Sequence, residues 1–294
     1  MAQSTGPTLS QGSDFHLAAP FVKWAGGKGR LVRELLSHVP AGFGDFYEPF
    51  LGGGAFFFAL TTQAARFDAH LSDLNLELIA TYNQIKENPE DLIAVLSRLQ
   101  DEYEHATSKS EYYYGKRSTV PTSNLETVAR FIFLNKTCYN GLFRVNSRGE
   151  FNVPFGRYAH PRILDAENIR AVSKALRHTN AELSISDFRK SIANCRKNDL
   201  VYLDPPYQPV SRTSSFTDYT PDGFSSMDQE VLAEEFEKLV ARGCTVLLSN
   251  SDTSFTRTLY REYDTRIVTV NRPINSNGSL RTGHKEIIVI GNPS

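Results

Sequence analysis

The residues best suited to chemistry stand at 204–207, where Asp204-Pro205-Pro206-Tyr207 follows Leu200-Val201-Tyr202-Leu203. β-Branched, aromatic and leucine residues run straight into an acid and two prolines, so a buried strand stops at Asp204. Open α/β sheets bind ligands at the carboxyl ends of their strands. This turn sets one carboxylate, a rigid carbonyl-bearing backbone and one aromatic face at such an edge. Those parts suit a planar base carrying an exocyclic amine. A proline-rich turn with no chemistry fits the four residues as well, so the surrounding chain must decide.

Two glycine-rich segments are candidates for holding a second reactant. Residues 20–30 include Lys23-Trp24-Ala25-Gly26-Gly27-Lys28 and lead into Leu31, Val32, Leu35 and Leu36 at helical spacing. A glycine turn opening a helix can hold an anion on its N–H groups, with Lys28 as a point charge. The Gly-x-x-x-x-Gly-Lys-Ser/Thr phosphate loop is absent; a plain tight turn fits too, and Trp24 also suits a core. Residues 45–58 read as a short strand, the turn Gly52-Gly53-Gly54 and a helix. Glycines there let backbone approach a nucleoside-type cofactor without Cβ collisions. A strand at 69–72 ends at Asp73, 21 residues after Gly52, where nucleotide-binding units place the acid that accepts ribose hydroxyls. The turn lacks the Gly-x-Gly-x-x-Gly of dinucleotide enzymes, which disfavours NAD.

Other elements must position these groups. Helices are predicted at 74–86, from Pro89 to about 104, within 110–135, at 166–177 and at 227–240, the last closed by Gly243. Tyr112, Tyr113 and Tyr114 are consecutive and cannot share a helix face, so at least one is exposed. Residues 136–162 carry Lys136, Arg144, Arg148, Arg157 and Arg162 against the single acid Glu150. Within them, 143–146 and 150–153 alternate about Ser147-Arg148-Gly149, a hairpin pattern. A basic hairpin suits a DNA groove; a solvated edge hairpin with protective charges is the alternative. A strand at 182–185 runs into Ser186-Asp187-Phe188, and 208–224 has the polar composition of a flap beside a site. A buried strand at 244–250 ends in polar residues that can hold groups of a site. Segments 265–270 and 286–290, flanking Asn275-Ser276-Asn277-Gly278, read as an antiparallel pair closing the sheet.

With 40% apolar and 22% charged residues among 294, the chain has the composition of a soluble enzyme and not of a disordered segment. No run approaches the ~20 apolar residues of a membrane span, and no basic-then-apolar leader opens the chain, so a cytosolic type of protein is expected. Cys138, Cys195 and Cys244 form no Cys-x-x-Cys and are expected to be reduced, with neither disulfide nor zinc. A net charge of −1 offers nothing to nucleic acid by itself, so any such contact falls to a local basic face.

Strand–helix alternation at both ends, around a helical block with a basic hairpin, implies one α/β domain interrupted by an insertion. In this arrangement the chain resembles the Dam-type DNA N6-adenine methyltransferases, over nearly everything from Phe21 to Ile290. The resemblance is carried by residues 23–28, Glu48-Pro49-Phe50 with Gly52-Gly53-Gly54, Ser72-Asp73, Leu134-Asn135-Lys136 with residues 138–142, residues 148–158, and Asp204-Pro205-Pro206-Tyr207. It implies a Rossmann-like S-adenosylmethionine-dependent methyltransferase sheet with an inserted helical target-recognition domain carrying a β-hairpin. The implied division is a flexible arm at 1–19, a catalytic domain at 20–88 and 181–294, and target recognition at 89–180.

The cofactor so implied is S-adenosyl-L-methionine, held by Trp24, Lys28, Glu48, Phe50, Gly52, Gly54, Asp73 and Asp204, with no metal. Catalysis falls to Asp204, Pro205 and Tyr207, acting on an adenine flipped out of double-stranded DNA. Tyr139 and Asn140 are the implied contacts beside the flipped base, Arg144 the reader of a guanine, and Leu142 and Pro154 apolar contacts. Arg148, Arg157 and Arg162 are implied phosphate neutralisers. The target implied is GATC, with no membrane or protein partner, in the cytoplasm of a bacterium or on a phage's behalf. Another target site, cytosine N4, an RNA or protein glutamine substrate, and a non-catalytic DNA-binding module are the competing readings; the glutamine enzymes carry Asn where this chain has Asp204.

Overall fold

The computed structural model describes residues 17–24, 29–64, 66–207, 224–270 and 284–293. The expectations for most of the arm, for Lys28, for the polar segment 208–223 and for the turn at 275–278 lie outside the described residues. Among the described residues seven strands form one sheet: β1 (Phe46–Glu48), β2 (Ala69–Asp73), β3 (Glu182–Ile185), β4 (Leu200–Leu203), β5 (Thr245–Ser251), β6 (Asp264–Val270) and β7 (His284–Gly291). Their order is β3-β2-β1-β4-β5-β7-β6. The first five are parallel, and β7 lies antiparallel to both β5 and β6. The order reverses between β1 and β4, which opens a crevice above their carboxyl ends.

The helices are α1 (Gly29–Ser37), α2 (Ala55–Leu60), α3 (Leu76–Glu87), α4 (Pro89–His105), α5 (Lys109–Ser118), α6 (Asn124–Thr137), α7 (Ala166–His178), α8 (Phe188–Ser191), α9 (Ser226–Arg242) and α10 (Ser254–Leu259). Local chemistry sets their ends. The Asn75 side chain accepts from Leu78 N–H to start α3, and Pro89 opens α4, where its missing N–H costs nothing. Ser225 and Asp228 form a reciprocal capping box on α9, which Gly243 ends at φ 95°. Among the described residues no helix is long and apolar enough to cross a membrane.

β4 and β5 are buried at every position, as strands covered on both faces must be. Their side chains alternate between two cores. Leu200, Tyr202 and Leu247 join the α1, α2 and α3 side with Phe46, Phe56 and Tyr82. Val201, Leu203, Val246 and Leu248 join Phe236 and Leu239 of α9 on the other. The inserted helices add no separate core: Leu96, Tyr103, Tyr113, Phe133 and Ile169 extend the first one. Tyr113 is fully buried with its hydroxyl donating to Val153 O, while Tyr114 faces solvent, as three consecutive tyrosines require. The 143–153 hairpin forms, but as a single bridge between Val145 and Phe151 about a turn closed by Gly149 N–H on Asn146 O.

The three cysteines are buried. Burial pushes the Cys138 thiol up to about 12 and that of Cys244 to about 11, and raises Cys195 as well. The folded chain therefore keeps thiol protons that the unfolded chain sheds above about pH 9. Stability from these groups is complete below that pH and is lost as pH rises toward 12. Lys136, lowered to about 8 by burial and by neighbouring Lys23, acts in the opposite sense between 8 and 10.5. One lysine against three thiols leaves a net loss, and the urea midpoint is expected to fall steadily above about pH 9. A flat or rising midpoint there contradicts this.

Candidate active site at the carboxyl edge of the sheet

At the end of β1, Glu48 is buried, and the chain continues through Phe50 and Leu51 into the glycine turn. Gly52 (φ 48°) and Gly54 (φ 67°) occupy the left-handed region that side chains disfavour. A Cβ on Gly52 meets the Trp24 indole at 2.7 and 2.8 Å, and one on Gly54 meets the Tyr82 hydroxyl at 2.8 Å. Tyr82 also donates to Gly52 O at 3.1 Å. The turn is thus clamped between Trp24 and Tyr82.

Asp73 joins this turn to the end of β2. Its Oδ2 accepts from Gly52 N–H and its Oδ1 from Asn75 N–H, each at 2.9 Å. Burial pushes its carboxyl upward, against the pull of N–H groups on Asn75, Gly52 and Leu74. A carboxylate offers about four lone pairs, so acceptor capacity is left beyond these N–H groups. Nearby, Phe50 stacks on Phe188 with ring centres 5.4 Å apart, and Phe224 meets both. Neither Phe188 nor Phe224 is among the site residues expected from sequence; Phe188 follows the end of β3, the same kind of place as Asp73. A glycine turn, a ribose-type acceptor and an aromatic cluster fit a nucleoside-bearing donor.

Across the crevice Asp204 follows β4. Ser249 Oγ donates to Asp204 Oδ1 at 2.6 Å and lies 2.9 Å from the Tyr202 hydroxyl. Tyr207 donates to Glu286 Oε2 at 3.1 Å, and Gln229 Nε2 donates to Pro206 O at 2.9 Å. Burial, then the charges of Asp204 and Glu286, raise the Tyr207 hydroxyl well above 10, so it stays a neutral phenol. Asp204 and Tyr207 are half-buried and Pro205 is buried. Ser249, Gln229 and Glu286 were not singled out from sequence; the polar end of β5 is the one local sign of them.

The implied DNA contacts divide into a patch and its flanks. Tyr139 to Gly141 form a 3-10 turn with Asn140 at φ 56°, and Tyr139 N–H donates to Pro154 O at 2.8 Å, which sets Tyr139 and Pro154 side by side at the surface. Leu142 follows, half-buried, and its N–H closes the turn on Tyr139 O. Arg144 is exposed on the hairpin, with Nε donating to Asn152 Oδ1 at 2.7 Å. Arg157 is exposed at φ 58°. Arg162 pairs with Asp165 at 2.9 Å.

These elements meet the Lys23-Trp24 segment through the buried side chain of Asn135. Its Oδ1 accepts from Lys23 N–H at 2.7 Å, and its Nδ2 donates to Lys23 O at 2.8 Å and Gly141 O at 3.2 Å. Trp24 in turn stacks on Phe143 of the hairpin, 6.2 Å between centres.

A sheet of this order, with a glycine turn after its first strand and an acid-proline-proline-tyrosine turn after its fourth, defines a Rossmann-like methyltransferase. The family described as D12 class N6 adenine-specific DNA methyltransferase matches residues 24–274, and the chain belongs to it. It is 40% identical over 276 residues to a type II methyltransferase of Lactococcus lactis subsp. cremoris, covering 92% of this chain and 94% of that protein. It is 39% identical over 285 residues to a type II methyltransferase of Methanocaldococcus jannaschii, covering 92% and 98%. A DNA adenine methylase of Escherichia coli is 38% identical over 275 residues, covering 93% and 95%. The protein is an adenine-specific DNA methyltransferase, which sets aside cytosine, RNA, glutamine and a non-catalytic role.

Proposed function

We propose that the protein methylates N6 of an adenine flipped out of double-stranded DNA, within GATC, with S-adenosyl-L-methionine as donor. The observation that carries this reading is the Asp204-Pro205-Pro206-Tyr207 turn, held at the sheet edge by Ser249 and Gln229 across the crevice from Asp73 and the glycine turn. The adenine amine is a poor nucleophile because its lone pair is spread into the ring. Hydrogen bonds from the amine to the Asp204 carboxylate and the Pro205 carbonyl favour a pyramidal nitrogen and free that lone pair. The gain is larger in the transition state than in the ground state, which is what accelerates the step. Tyr207 stacks on the base and helps offset the few kcal/mol that flipping costs.

The donor supplies a methyl group already activated on a sulfonium. Asp73 takes its ribose hydroxyls and Lys28 its carboxylate, with Trp24, Glu48, Phe50, Gly52, Gly54 and Asp204 around them. Residues 20–88 and 181–294 act as the catalytic part and 89–180 as the target reader, working in the cytoplasm. Tyr139 and Asn140 meet the duplex beside the flipped base, Arg144 reads a guanine with Leu142 and Pro154 making apolar contacts, and Arg148, Arg157 and Arg162 neutralise phosphates. Sequencing with modified-base detection, on DNA from cells expressing the chain, gives base and target together. N6-methyladenine in GATC supports the reading; methylation of another sequence replaces the target and keeps the chemistry.

Arg144→Ala is expected to cost ~1–3 kcal/mol of discrimination at one guanine while leaving other positions unchanged. Competition binding against single-base variants of the target measures it. An equal loss on every sequence makes Arg144 a phosphate contact instead.

A further inference from the structure

Proline has no backbone N–H, so Pro205 and Pro206 leave the turn without a donor of its own at two successive positions. Its carbonyls have to be oriented from outside. Two neighbouring residues of β5 hold the turn from opposite faces of the strand, one through the Asp204 carboxylate and the other, by way of Gln229, through the Pro206 carbonyl. On one face Ser249 Oγ donates to Asp204 Oδ1 at 2.6 Å. On the other, Asn250 Nδ2 donates to Gln229 Oε1 at 2.9 Å, and Gln229 Nε2 donates to Pro206 O at 2.9 Å.

The direction of this relay is fixed. Ser251 N–H can only donate, and it reaches Asn250 Oδ1 at 2.8 Å. Asn250 must therefore turn its NH2 to Gln229, and Gln229 must turn its own NH2 to Pro206. Asn250 and Gln229 are 0% and 1% exposed, so neither amide has water to fall back on. Gln229 is itself set by α9, where the capping box at Ser225 and Asp228 immediately precedes it.

We propose that Gln229 is a positioning residue for methyl transfer. By holding the Pro206 carbonyl while Ser249 holds Asp204, it pins the turn at both ends and so fixes where the Pro205 carbonyl points. The proposal rests on the reading that Asp204 and the Pro205 carbonyl accept the adenine amine.

The test measures single-turnover methylation of unmethylated bacterial DNA by the full chain with labelled S-adenosylmethionine, from pH 6 to 9. Gln229→Leu removes the donor; Gln229→Glu keeps the shape but donates to Pro206 O only when the introduced carboxyl is protonated. Wild-type enzyme controls for Asp204, Glu286, Tyr202 and Tyr207, which face the same turn. Gln229→Leu is expected to slow the step about 10- to 100-fold, with donor and DNA dissociation constants within about twofold of wild type. Gln229→Glu is expected to be equally slow at high pH and to recover toward wild type as pH falls. A residue that only stabilises the fold lowers the melting temperature and shows no such recovery. If Asp204→Ala is inactive while both Gln229 variants match wild type, or the Gln229→Glu profile parallels wild type, this proposal alone falls. If Asp204→Ala is fully active, the reading beneath it falls too.

Discussion

Asp204→Ala is expected to slow methyl transfer by about 10³-fold or more while DNA affinity stays within a few-fold. The carboxylate sits at the end of a fully buried strand, oriented by Ser249, which is itself within 2.9 Å of the Tyr202 hydroxyl. Such preorganised groups act mainly where the charge distribution changes, so their loss appears in the chemical step. DNA affinity comes largely from phosphate contacts, and the implied ones lie on the basic hairpin region, not at Asp204. Ser249→Ala frees the carboxylate from one donor and is expected to show a weaker loss in the same step. Single-turnover kinetics with both reactants saturating separate chemistry from binding. Undiminished turnover in Asp204→Ala contradicts the assignment.

The second large effect is on the donor. Asp73→Ala is expected to weaken S-adenosylmethionine binding by about 100-fold or more, since hydrogen bonds to a charged group are worth ~1.5–3 kcal/mol each and the reading assigns it two. It also strips an acceptor from Gly52 N–H and from Asn75 N–H, loosening the glycine turn and the start of α3. A lower melting temperature should accompany the loss. Asp73→Asn keeps one acceptor oxygen, turns an NH2 toward the other N–H, and should fall between. Calorimetric titration gives the affinities directly. An unchanged donor affinity in Asp73→Ala places the donor elsewhere.

Much of the fold is legible because its signals are local. A run such as Leu200-Val201-Tyr202-Leu203 stopped by an acid and prolines, or three glycines between a strand and a helix, says where a strand ends and what kind of turn follows. The antiparallel character of the last two strands is also visible, but the insertion of β7 between β5 and β6 is not, since nothing in either strand encodes its neighbour. The hairpin pattern suggests longer pairing than its single bridge, because alternation reports side-chain faces and not how far the ladder runs.

The site shows the same division. Asp204, Tyr207, Asp73 and the glycines sit in motifs, whereas the side chains that hold them arrive from far along the chain. Glu286 reaches Tyr207 across 79 positions, Gln229 reaches Pro206 across 23, and Asn135 reaches Lys23 across 112. Such pairings have no periodicity, and a buried amide or acid looks like any other polar residue until the fold brings its partner. Ser249-Asn250-Ser251, three polar residues finishing a buried strand, is the exception: polar groups inside a core need partners, and Ser249 finds its own in Asp204 while Asn250 finds its own in Gln229, which holds Pro206.

The account turns on contact between the adenine amine and the sheet-edge carboxylate, and a double-mutant cycle across that contact tests it most directly. Binding of wild type and Asp204→Ala is measured on the mapped target duplex and on one whose target adenine is replaced by purine, which lacks the amine. Wild type is predicted to prefer adenine over purine by about threefold more than Asp204→Ala does, which is the few-fold of DNA affinity that the variant loses. An identical preference in both proteins contradicts the account, since the carboxylate then has no dealings with the group that receives the methyl.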